Sequence, residues 1–204
     1  MQGQALKGFH CGGRIYGYNL VQELHPTKTD PYRQPDHIDT KLAINPEQAQ
    51  WVQWIFERYA EGQSPLKIVS ELNRQQIPAP GAAYRRHYLR TPTWSAAALH
   101  GDLSRGTGLL NNPLCVGRYV WNRSRREKDP DTNRRSHIVL DQSEWIETPA
   151  PQLRIIDEDL WERVKTRRAE VSQGVAALRA SLHCRARSTG AGPKYLFSGL
   201  LVCG

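Results

Sequence analysis

The stretch Ala43-Ile44-Asn45-Pro46-Glu47-Gln48-Ala49, read on through Gly62, Ser64-Pro65 and Thr93-Trp94 to Leu110, decides the fold. Asn45 can accept from the unpaired amides of a first helical turn, Pro46 supplies a preset φ there, and Gln48 stands where a capping box closes. Ala49, Val52, Phe56 and Tyr59 recur at helical spacing, Ile55 widens the stripe, and Gly62 ends the helix where a left-handed residue is wanted. Ser64-Pro65 opens a second helix at once, with Leu66, Val69 and Leu72 expected on its inner face and Asn73 near its end. Pro78 and Pro80 break the pattern, and a loop carrying Arg85, Arg86, His87 and Arg90 follows. Thr93 is the expected cap of a third, short helix in which Trp94, Ala97 and Ala98 pack inward. Helix, tight turn, helix and a basic approach to another helix is the plan of many major-groove readers.

Upstream, residues 1–14 combine Gly3, Gly8, Gly12 and Gly13 with Lys7, His10 and Arg14, the composition of an extended, basic, flexible lead-in. Arg14 to Tyr18 alternates briefly, as a strand or a turn would. Residues 25–37 are rich in Pro, Asp and Thr and read as a surface loop, before a short edge strand from Ile38 to Ile44.

Downstream, Leu109 to Pro113 reads as a helix end and turn, and Val116 to Trp121 as a strand. Asn122 to Arg135 is a charged loop, and Ser136 to Leu140 returns as the antiparallel partner, giving a long basic hairpin shaped like a wing. Leu153 to Ile156 is a further short strand. Asp157 caps a last helix, whose first turn holds Glu158 and Asp159 where the helix dipole favours acids. Leu160, Trp161, Val164 and Val171 are its expected inner residues. The predicted class is α+β: a helix-turn-helix or winged-helix-like three-helix core with a small antiparallel sheet and a C-terminal helix.

At 204 residues the chain can bury one good core with appendages. Its mean hydropathy is −0.63, and no apolar run approaches a membrane span or a signal-peptide core, which makes the cytoplasm the expected location. Net charge is +8 and the pI about 9.5, which favours polyanionic partners. Residues 81–135 hold eleven Lys and Arg against four acids, with Tyr84, Tyr88, Trp94, Tyr119 and Trp121 interleaved. Arg dominates, and its fork suits phosphate and guanine edges. The alternative for this segment is a solvated loop face. Cys11, Cys115, Cys184 and Cys203 share no metal-ligand spacing, so neither a metal nor a disulfide framework is expected. Cys115, between Leu114 and Val116, reads as a small core residue.

No catalytic grouping is recognisable. Seven His residues are scattered, and no H-E-x-x-H, G-x-S-x-G or phosphate-binding P-loop occurs. The close carboxylates Asp129/Asp131 and Asp157/Asp159 sit in turn and cap contexts. Neither catalytic residues nor a cofactor is expected.

Gly12-Gly13-Arg14-Ile15-Tyr16-Gly17-Tyr18, Asn45 to Ala49 and Ile55-Phe56-Glu57-Arg58-Tyr59-Ala60-Glu61-Gly62 together resemble the recombinase domain of large serine recombinases. So do Ile68 to Asn73 followed by Ile77-Pro78, Thr93-Trp94, Leu110-Asn111-Asn112-Pro113, Gly117-Arg118, and Pro151 to Asp157 with Leu160-Trp161. Tyr195 to Gly204 resembles the opening of the family's zinc-ribbon domain, with Cys203 a lone potential ligand. The likeness covers nearly the whole chain and is specific as a set. Cys115 departs from it, standing where the family's Asn-Pro-x-Tyr-x-Gly pattern has Tyr.

The resemblance implies a site-specific recombinase that cuts both DNA strands through a phosphoserine intermediate and exchanges ends in a tetramer. Its catalytic serine and arginines would lie in a resolvase-type domain preceding Met1. The expected parts are a lead-in at 1–14, a DNA-binding domain at 15–171, a linker at 172–194 and the start of a zinc ribbon at 195–204. The expected partner is double-stranded DNA, with self-association only in a full-length recombinase and no membrane. Gly12, Gly13 and Arg14 would track the minor groove, or form a flexible terminus. Arg85, Arg86, His87 and Arg90 would meet phosphates before the third helix, or belong to a disordered basic loop. Ser95 and His100 are candidates for base edges. Trp94 is a core anchor or stacks on sugar. Arg118, Arg123, Arg125, Arg126, Lys128, Arg134 and Arg135 would hold the backbone from the hairpin. The competing reading is a regulatory or non-specific nucleic-acid-binding domain without a recombinase role.

Overall fold

The computed structural model describes residues 3, 9–29, 35–82, 93–102, 105–128 and 133–188, in two units, residues 1–164 and 165–204. In the first unit, helix α1 (Pro46–Ala60) is capped as its sequence predicts, with Asn45 Oδ1 accepting from the Glu47 and Gln48 amides at 3.1 and 3.3 Å. Gln48 does not close a capping box. Its Oε1 instead accepts from the Gly17 amide at 2.9 Å, while Asn45 N–H donates to the Gly17 carbonyl, so the helix start is laced to an upstream turn. Gly17 sits at φ 95°, and a Cβ there would come within 3.1–3.2 Å of Ile155 and Val52. Gly62, at φ 111°, ends the helix as expected.

Helix α2 (Pro65–Arg74) is capped by Ser64, whose Oγ accepts from Lys67 N. Ile68, Val69 and Leu72 are buried, whereas Leu66, expected inside, is 71% exposed. Position 66 lies one turn from Val69 and two from Leu72, but Ile68 takes the inward place at the helix start. Helix α3 (Ala96–His100) is five residues long and is capped by Ser95, not Thr93. Leu99 and Trp94 are buried in it and before it, and Ala97 is exposed. Trp94 is a core anchor: its ring meets Tyr16 edge-on at 4.9 Å and its Nε1 donates to Ile77 O.

The described strands form three antiparallel two-stranded ribbons, which with the helices make the chain α+β. Strands β1 (Tyr18–Thr29) and β2 (Pro35–Ile44) pair along most of their length, so much of the stretch read as a loop at 25–37 is strand. Cross-strand hydrogen bonds there outweigh the turn-like composition. Strand β3 (Arg118–Trp121) starts later than expected, because Pro113–Val116 is a 3-10 turn closed by left-handed Gly117 at φ 78°. It pairs with β6 (Ile146–Pro149), not with 136–140. The basic hairpin is formed by β4 (Ser124–Lys128) and β5 (Arg135–Val139). Residues 153–156 are not a strand. Ile155 and Ile156 donate instead to the Cys115 carbonyl after a turn at Pro151–Leu153.

One apolar cluster joins Val52, Ile55, Phe56 and Tyr59 of α1 to Ile68 and Leu72, to Leu99, Leu110, Leu114 and Cys115, and to Trp161 and Val164. Tyr18 penetrates it, its hydroxyl lying 3.0 Å from Leu114 O and 2.9 Å from Leu153 O. Helix α4 (Glu158–Ser188) contributes Trp161, stacked on Phe56, and Val164. Farther along the same helix Val171, expected to be inward, is exposed, as are Val175 and Leu178. Among the described residues no helix is long and apolar enough to cross a membrane.

Candidate nucleic-acid interface

Within the lead-in, residues 10–13 are more tightly held than their glycines imply. His10 is buried, and its backbone amide donates to Thr40 O at 2.7 Å. Its Nε2 faces Gly13 O at 2.7 Å, which places a proton there and leaves Nδ1 to accept from Tyr119 O–H at 3.2 Å. The Tyr119 oxygen in turn accepts from Cys11 N–H at 3.2 Å, and burial pushes the phenol up from its usual value. Gly12 lies against this arrangement: a Cβ on it would stand 3.0 Å from the His10 ring. Gly13 has open space around it, and Arg14 is exposed.

Arg85, Arg86, His87 and Arg90 lie outside the described residues. Ser95 and His100 have structural work. Ser95 Oγ accepts from Ala98 N as the helix cap, and His100 meets the Tyr59 ring edge-on at 6.0 Å. The His100 carbonyl also takes a hydrogen bond from Asn111 Nδ2 at 2.7 Å. His100 is half-buried.

Two of the expected arginines have partners within the chain, one exposed and one partly buried. Arg118 on β3 pairs with Glu158 at the start of α4, at 2.8 Å. Arg123 lies over the Trp145 ring at 5.4 Å and donates to Gly106 O. Burial pulls its guanidinium down from the usual value, opposed by Glu147. Arg123 thus fastens the loop after α3 to the base of the ribbon. Both partners are remote in sequence, so strand alternation could not reveal them.

The remaining cations are sorted by the β4–β5 register, in which Arg125 is opposite Ile138, Arg126 opposite His137, Glu127 opposite Ser136 and Lys128 opposite Arg135. Because successive strand residues alternate between faces, positions 126, 128, 135 and 137 share one face. Arg125 and Glu127 occupy the other and pair at 2.8 Å. Lys128, Arg134 and Arg135 are exposed. His137 was not among the expected DNA-binding residues; hairpin register combined with alternation is the signal that finds its position. Among the described residues no three His, Cys, Asp or Glu side chains gather as a metal-binding group.

The described residues thus set a positively charged ribbon on an α+β scaffold, with Arg123 at its base fastened within the fold. The Recombinase family model matches residues 46–171, more than half of the chain. The chain belongs to this family, and the resemblance to a serine-recombinase recombinase domain is borne out. Membership carries a role in site-specific DNA recombination and interaction with DNA. A search among curated proteins finds no match.

Proposed function

We propose that this chain is the DNA-recognition module of a site-specific serine recombinase, gripping duplex DNA and leaving strand cleavage to a separate serine-bearing domain. The observation that carries this reading is the β4–β5 ribbon, which lies inside the family region and sets Lys128 directly opposite Arg135. Like charges directly opposed across two strands destabilise a ribbon unless an anion compensates them. A duplex backbone is such an anion, at high charge density. In this reading α1, α2 and α3 form the helix-turn-helix-like reader and the ribbon acts as its wing. Gly13 and Arg14 approach the minor groove, and Arg85, Arg86, His87 and Arg90 meet phosphates before α3.

The proposed organisation is a lead-in at 1–14, the DNA-binding domain at 15–171, a linker at 172–194 and the opening of a zinc ribbon at 195–204. Self-association belongs to a full-length recombinase, and the cytoplasm, where its DNA substrate lies, is the site of action. A mobility-shift titration of duplex DNA at rising salt tests the reading, with Mg²⁺ present to expose any nicking. The expected result is salt-sensitive retardation without strand cleavage. Equal retention by heparin and by unrelated duplexes would favour a non-specific binder, and no retardation at low ionic strength would remove the proposal.

A further inference from the structure

We infer that the two faces of the β4–β5 ribbon are unequal, and that the face holding Lys128 and Arg135, with Arg126 and His137 at adjoining register positions, is the one laid along the DNA phosphates. This rests on the DNA-binding reading above and adds to it a direction of approach. On the opposite face Arg125 is already neutralised by Glu127 two positions along the same strand, at 2.8 Å. Ser136 and Ile138, which share that face by register, add no charge. The face of Lys128 and Arg135 has no acidic residue at its register positions on either strand. Lys128 and Arg135, both exposed, stand directly opposite each other there. In an antiparallel pair directly opposed side chains lie close enough to repel when both are cationic. Phosphates spaced along a duplex can bridge such a cation pair and relieve the repulsion, releasing counterions as they do.

The test compares two double variants of the full 204-residue chain in salt-titrated binding to one duplex. Lys128→Gln with Arg135→Gln should lower the slope of log affinity against log salt by about 2, roughly one for each phosphate no longer neutralised. Arg125→Gln with Glu127→Gln should leave the slope where it was. A thermal melt without DNA gives a second readout. The Lys128→Gln/Arg135→Gln chain should melt at the same or a higher temperature in low salt, since a repulsion has been removed. A lower melting temperature would show that these two residues stabilise the ribbon, and would count against the inference. Equal slope losses in both variants, or a loss confined to the Arg125/Glu127 pair, overturn the choice of face while leaving DNA binding intact. Failure of the unaltered chain to bind any duplex removes the DNA-binding reading itself.

Discussion

Asn73 holds Trp94 by both polar groups of its backbone: the Asn73 Oδ1 accepts from Trp94 N–H at 2.8 Å and its Nδ2 donates to Trp94 O at 3.1 Å. A side chain at the end of α2 thereby fixes where the chain returns after residues 83–92, and hence where α3 begins. Replacing Asn73 by Ala leaves an amide and a carbonyl without partners in a half-buried place, which should cost about 2–3 kcal/mol. Asn73→Asp keeps the acceptor and loses the donor, so it should cost less than the Ala change. Urea unfolding of the two variants checks the order, and equal losses would show that the clamp is not what matters at this position.

The glycines of the chain divide into those the fold requires and those it leaves free. A Cβ on Gly101, at φ 53°, would run into the Thr107 carbonyl and the Gly108 amide. Gly101→Ala should therefore destabilise by more than about 3 kcal/mol, combining backbone strain with a clash against main chain that cannot rotate away. Gly13→Ala meets nothing and should change stability by less than about 0.5 kcal/mol, as thermal melts of the two variants would show. If Gly13→Ala nonetheless weakens DNA binding, backbone approach at that residue is supported by a variant whose folding is unaltered.

Arg118 and Arg123 were expected to hold phosphates; in the fold Arg118 pairs with Glu158, and Arg123 meets Gly106 and Trp145. Arg118→Gln breaks a largely exposed ion pair with Glu158 and should cost about 0.5 kcal/mol. Arg123→Gln removes the bond to Gly106 and the cover over Trp145, for about 1–2 kcal/mol. Neither should change the salt slope of duplex binding. A slope reduced by about one in either variant would return that arginine to the DNA-binding set.

Burial pushes the Cys115 thiol up from 9.0 to about 12, and the Tyr16 phenol from 10.0 to about 12. The folded chain therefore keeps protons that the unfolded chain releases. Each group's contribution is intact below its unfolded value and declines as pH rises from there toward about 12. Stability should fall from about pH 9 upward, with Cys115 contributing a slope of up to about 1.4 kcal/mol per pH unit. Cys115→Ala should flatten the first part of that decline in alkaline urea titrations. In a chain whose other cysteines are Ser (Cys11, Cys184, Cys203), a thiol reagent at about pH 8 should modify Cys115 only as fast as the protein opens. Rapid labelling of the folded protein would contradict its burial.

The capped helices were readable in the sequence because their chemistry is local: Asn45-Pro46 and Ser64-Pro65 carry their own start signals within a single helical turn. The β1–β2 ribbon was not, since His25-Pro26-Thr27-Lys28-Thr29 resembles a loop until its partner strand is known. The same limit governed the interface. Its ribbon was visible as a run of charge, but Arg118 was diverted by an acid forty residues away. Ser95 has the composition of a reading residue and the geometry of a cap. Which cations face outward depends on partners that only tertiary folding brings near.

The Tyr18 hydroxyl, wedged between the carbonyls of Leu114 and Leu153, sits well ahead of the stretch by which relatives are recognised, which opens at Pro46. Sequence likeness and the foldable piece thus have different edges. A gene fragment trimmed to the recognisable stretch would discard Tyr16, Gly17 and Tyr18, leaving an unfilled gap beside Trp94 and a Leu153 carbonyl without the Tyr18 hydroxyl that it faces. Anyone excising this module for biochemistry should cut upstream of His10, where the ring that braces Gly12 and Gly13 is retained.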